Sequence, residues 1–195
     1  LTYTDGKQYV PQDGWGFFIL NDPRTLDQQN EWYYNPSTKK VRIYSTSQPA
    51  NVKLTTVENI FDNSANCKYI TIDNIAITGA NSNLINGSYG QNATVTNCDL
   101  SYAGISGIDI NSLAPTFVGN TINNTGYNGI YSHQNGVGGV IQNNVINNTG
   151  LIPGTPDNGG GAAIYSVSAS TLIQGNVIDS SGWGGIVFDG NNSIV

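Results

Sequence analysis

Asp109, Tyr131 and His133 bring together a carboxylate, a phenol and the only imidazole of the chain, the side chains that acid–base chemistry near neutral pH draws on. Asp157 and Asp189 supply further carboxylates, and Tyr165 a second phenol. Trp183 and Tyr127 offer aromatic faces of the kind on which a sugar ring stacks. Two carboxyl groups set roughly 5–9.5 Å apart hydrolyse glycosidic bonds, one as acid and the other as base or nucleophile. The candidate catalytic residues are therefore Asp109, His133, Asp157 and Asp189, and the candidate substrate-binding residues Tyr131, Tyr165, Trp183 and Tyr127. Residues so far apart in the chain act together only if a repeating scaffold stacks them.

Such a repeat is present. Ile72-Asp73-Asn74-Ile75-Ala76-Ile77 superposes on Val95-Thr96-Asn97-Cys98-Asp99-Leu100, on Phe117-Val118-Gly119-Asn120-Thr121-Ile122, on Ile141-Gln142-Asn143-Asn144-Val145-Ile146 and on Ile173-Gln174-Gly175-Asn176-Val177-Ile178. A third apolar column follows at Ile85, Ile108, Ile130, Ile164 and Ile186, with Gly104, Gly126, Gly150 and Gly182 ahead of it from the second coil on. Successive first sites are 23, 22, 24 and 32 residues apart, and an insertion at 151–161 accounts for the long last interval. The runs alternate with period two and are rich in β-branched residues, which predicts short strands; helices would need a 3.6-residue period. Gly and Asn between the runs suit corners with positive φ. One coil of short strands cannot bury its inner face alone, so the coils must stack. Asn120, Asn144 and Asn176, with Cys98 in the same column, are expected to form an amide ladder.

The pattern Asn-x-Ile-x-x-x-Gly-x-x-Gly-Ile at 120–130 and 176–186 resembles the repeat of the pectate-lyase-like superfamily. The resemblance implies an all-β fold, a right-handed parallel β-helix of about five recognisable coils over 66–195. It does not extend to the lyase arginine, which has no counterpart in these coils. Ahead of them, residues 1–65 form an N-terminal segment. Its Gly14-Trp15-Gly16-Phe17-Phe18, Glu31-Trp32-Tyr33-Tyr34 and Val41-Arg42-Ile43-Tyr44 resemble a segment of bacterial secreted β-helix proteins that degrade glycans. Residues 31–44 read as a β-hairpin with a polar turn, and 23–29 as holding one short helical turn. Trp15, Phe17, Trp32 and Tyr34 are expected in a core or a cap. Val195 falls inside a sixth coil, so further coils or domains of a longer parent are expected. Cys67 and Cys98 lack zinc-motif spacing and read as small buried residues.

On a filled solenoid, chemistry belongs on the outer faces. Within each coil the residue after the third-column Ile and the one two further on point outward. This sets Asp109, Tyr131, Tyr165 and Val187 in one column and Asn111, His133, Val167 and Asp189 in the next. The insertion, carrying Asp157, is expected to wall the patch.

Charge narrows the function. All seven Lys and Arg lie at or before Lys68, and the net charge is −6. Phosphate recognition needs a cationic face, which excludes a nucleic-acid partner, and an anionic membrane surface is disfavoured likewise. No apolar run reaches the roughly 18 residues of a membrane span. The leading expectation is a secreted or cell-surface glycoside hydrolase acting on a neutral or weakly charged polysaccharide, with no cofactor. A non-catalytic adhesin or glycan-binding solenoid is the first alternative. A lyase or epimerase is the second, with calcium held by Asp109 or Asp157 standing in for the missing cations.

Overall fold

The computed structural model describes Gly14, Ile19 and residues 21–133, 137–152 and 160–195. Contacts divide the chain into residues 1–53 and 54–195. In the first unit a 3-10 turn, Pro23–Thr25, starts at Asp22, whose side chain accepts from the Arg24 amide. Strands β1 (Trp32–Asn35) and β2 (Lys40–Ile43) then pair antiparallel. The Asn35 side chain accepts from the amides of Ser37 and Thr38 and so closes the polar turn. Trp32 is 67% exposed and Tyr34 42%, so neither is a core residue. A hairpin this short has one thin face and leaves its aromatics at the surface. Trp15 and Phe17 lie outside the described residues.

The second unit is a parallel β-solenoid of about five turns. It begins with β3 (Phe61–Asn63), followed by β4 (Thr71–Asp73), β5 (Ala76–Ala80) and β6 (Ile85–Gln91). Next come β7 (Thr94–Thr96), β8 (Asp99–Ala103) and β9 (Ile108–Leu113), then β10 (Thr116–Val118), β11 (Thr121–Thr125) and β12 (Ile130–Ser132). The last turns contain β13 (Val140–Gln142), β14 (Val145–Thr149) and β15 (Ala162–Ser166), then β16 (Leu172–Gln174), β17 (Val177–Ser181) and β18 (Gly184–Phe188). Every third strand joins the same sheet, giving two five-stranded sheets and a six-stranded one in the order β18-β15-β12-β9-β6-β3.

The register follows the sequence repeat. Ile72, Val95, Phe117, Ile141 and Ile173 are cross-strand partners, as are Ile77, Leu100, Ile122, Ile146 and Ile178. The third column runs from Phe61 through Ile85, Ile108, Ile130 and Ile164 to Ile186, so it opens one turn earlier than the repeat counted from Ile72. Phe117, Ile108, Ile122, Ile130, Ile141, Ile146 and Ile164 are fully buried. Each such side chain contributes on the order of 1.5–3 kcal/mol through removal from water.

Two columns hold the corners. Asn120 Nδ2 donates to Asn144 Oδ1 at 3.0 Å, and Asn144 Nδ2 donates to Asn176 Oδ1 at 2.9 Å. Each amide group also donates to a backbone carbonyl one rung back, at Val95, Phe117 and Ile141. Cys98 closes the ladder through its backbone N–H, which donates to Asn120 Oδ1. The glycine column reflects close approach: a Cβ at Gly126 would drive into the Gly104 carbonyl oxygen, and one at Gly182 into that of Gly150. Cys98 is buried, but Cys67 is exposed. The connection after β3 is fixed through the Cys67 backbone, which donates to and accepts from the Asn63 side chain, so its thiol has no core position to fill.

Candidate functional site

The six-stranded sheet presents one outward column of Asp62, Asn86, Asp109, Tyr131, Tyr165 and Val187, each the direct partner of the next. Strands alternate inward and outward, so buried Ile108 and Ile110 orient Asp109 outward between them. Ile130 and Ser132 do the same for Tyr131, and Ile164 and Ser166 for Tyr165.

His133 follows the last residue of β12, yet its backbone is pinned from both sides. Its N–H donates to the Ile110 carbonyl at 3.2 Å, and Ser168 Oγ donates to its carbonyl at 2.6 Å. From there the imidazole leans back over the Tyr131 ring, centroids 3.8 Å apart, and places Nε2 at 2.6 Å from Asp109 Oδ1. A carboxylate only accepts, so Nε2 carries the hydrogen of this bond. In the neutral ring Nδ1 is then a free acceptor, with no partner among the described residues. Tyr131 also stacks on Tyr165, centroids 5.0 Å apart and planes 11° from parallel. Three rings thus stack along the axis. Burial is the main cause that pushes the Tyr131 phenol above its ordinary pKa, followed by Tyr165 and the Asp109 charge. At neutral pH it is a proton donor.

On the other side of Asp109 stands an amide relay. Asn83 Nδ2 reaches Asp109 Oδ2 at 3.4 Å and Asn86 Oδ1 at 3.2 Å, and Asn86 Nδ2 donates to Asp62 Oδ1 at 2.9 Å. Asn83 is buried and held in turn: its Oδ1 accepts the Ser106 N–H and its own N–H donates to Asn59 Oδ1. Asp62, Asn83 and Asn86 were missed by sequence reasoning. The available signal was Phe61, which sits 24 residues before Ile85 and so extends the third apolar column back by one turn.

The remaining predicted residues are placed apart from this group. Asp189 is exposed, in the column of His133 but two rungs beyond it, and its N–H donates to the Ser166 carbonyl. Three rungs separate Asp109 from the Val187–Asp189 end, roughly 14 Å at the spacing of paired strands. Tyr127 lies against Gly160, where a Cβ would enter its ring, and Trp183 is 61% exposed at the same corner, with Gly161 on the rung between. Asp157 lies outside the described residues. Among the described residues no group of three or more His, Cys, Asp or Glu side chains is placed to hold a metal ion.

These features define a parallel β-solenoid with one acid–imidazole–aromatic stripe on its six-stranded sheet. No family model, curated protein or solved structure matches the chain.

Proposed function

We propose that this solenoid is a secreted or cell-surface carbohydrate-active protein that hydrolyses a neutral or weakly charged polysaccharide on the outer face of the six-stranded sheet. The Asp109–His133 hydrogen bond of 2.6 Å carries the reading. It fixes the orientation of a carboxylate that keeps a second oxygen for reaction, and beside it a protonated phenol is available to hydrogen-bond a sugar hydroxyl. The absence of any basic side chain after Lys68 favours an uncharged substrate over a uronate. The likeness of the coils to the pectate-lyase-like superfamily points toward carbohydrate as well, by analogy of fold.

One observation favours a binding role instead. Tyr131 has His133 on one side and Tyr165 on the other, so its ring faces are not free for a sugar. Exposed Trp183 then becomes the platform.

The deciding experiment digests a panel of neutral and acidic polysaccharides while following reducing ends and the absorbance of unsaturated uronates together. Reducing ends without absorbance are expected. Absorbance would mean elimination chemistry, and neither signal combined with measurable glycan binding would leave the binding role.

A further inference from the structure

We infer that Asp62 is the second catalytic carboxyl group of this site, acting opposite Asp109 with inversion at the anomeric carbon; the inference rests on the hydrolase reading above. Asp62 and Asp109 occupy one outward column with only Asn86 between them. Paired strands lie about 4.8 Å apart, so two rungs separate the carboxyl groups by roughly 9.5 Å. Inverting hydrolases hold their pair roughly 6.5–9.5 Å apart to leave room for a water, whereas retaining enzymes need about 5–5.5 Å. One rung would be too close for the first arrangement, and three rungs, the separation of Asp109 from the Asp189 end, too far for either.

The two carboxyl groups are held differently. Asp109 Oδ1 accepts from His133 Nε2 while Oδ2 has only the 3.4 Å contact to Asn83. Asp62 is exposed and anchored through Oδ1 alone, by Asn86. Asp109, with Oδ1 committed to His133, keeps Oδ2 for the base role, which leaves the acid role to Asp62. Asp109 Oδ2 takes a proton from water as the water oxygen bonds to the anomeric carbon. The glycosidic C–O bond breaks with its electron pair on the leaving oxygen, which takes the proton of the Asp62 carboxyl. Proton exchange with solvent then restores both groups for the next turnover. The sum is one water added across one bond.

The experiment uses the full chain on whichever panel polysaccharide it cleaves, with proton NMR of the first product anomer and rates for Asp62→Asn and Asp109→Asn. Both variants are also assayed on the matching dinitrophenyl glycoside, whose leaving group needs no acid. Asp99→Asn, an outward carboxylate of another sheet, serves as control. The expected result is an inverted product and a loss of about 10²–10⁴-fold for Asp62→Asn on polysaccharide. The same variant should keep most of its rate on the aryl glycoside, where Asp109→Asn is slow on both. Asp62 is exposed, so its variant should melt with the wild type, and circular dichroism checks this. A retained anomer, or an Asp62→Asn rate equal to wild type, overturns the assignment and leaves the hydrolase reading standing. Absence of hydrolysis by wild type on every glycan overturns both.

Discussion

At Asp109 the hydrolase reading depends on one hydrogen bond, from His133 Nε2 to Oδ1. Replacing His133 with Ala should leave the fold intact, since the residue is held by its backbone, while the carboxylate loses its orientation. Hydrolysis should fall by about 10-fold or more, and an unchanged rate would remove His133 from the site. Tyr131 gives a prediction that needs no substrate. Its pKa is raised by burial, so the folded protein keeps this proton to higher pH than the unfolded chain. The stability contributed here is complete below the ordinary phenol value of 10.0 and is lost as the pH rises through the raised one. Melting temperatures taken upward from pH 9 should therefore fall more steeply for wild type than for Tyr131→Phe, and parallel curves would contradict a desolvated phenol. The adjacency of Asp109, Tyr131 and His133 was legible in the sequence, because the Ile columns fix the register and the register fixes the outward face. The imidazole's backward lean over Tyr131 was not, since rotamers are set by neighbours rather than by spacing. Asp62 was hidden because its turn has β3 but no earlier members of the other two columns, so only one apolar position marks it.

Among the elements, corners constrain the sequence more tightly than strands do. Asn144 accepts from Asn120 and donates to both Asn176 and the Phe117 carbonyl. Asn144→Ala would leave several buried polar groups unpaired and should cost on the order of 3 kcal/mol, read from urea unfolding. A cost under about 1 kcal/mol would mean that water replaces the amide. The column was visible as Asn120, Asn144 and Asn176. The role of glycine was only partly visible, since positive φ was expected of it in general. As expected of Gly and Asn alike, the corners at Asn74, Asn97 and Asn143 take positive φ alongside Gly119 and Gly175. The column of Gly104, Gly126 and Gly182 is required instead because adjacent backbones nearly touch. A period of residues in a sequence records that a position is special without recording which constraint makes it so.

Across the whole solenoid each turn touches only its neighbours, and stability is therefore graded along the axis. Ile122 and Ile146 are fully buried, whereas Ile178 is only partly so. Amide hydrogen exchange should be slowest in β11 and β14 and fastest in β3 and β18, with Ile146→Ala costing roughly 2–5 kcal/mol in global stability. Uniform protection from end to end would instead indicate a single cooperative unit. Among the described residues the stacking stays in register across the longest sequence interval of the repeat. Gly150 takes the place of Gly126 and Gly161 that of Tyr127, their backbones in contact although ten residues of sequence separate them. Pairing then resumes at Trp183 as though those residues were not there. That corner is a socket: a foreign peptide whose ends meet would plug in there without shifting a rung. The length of chain between Gly150 and Gly161 can therefore be changed while the scaffold beneath stays the same.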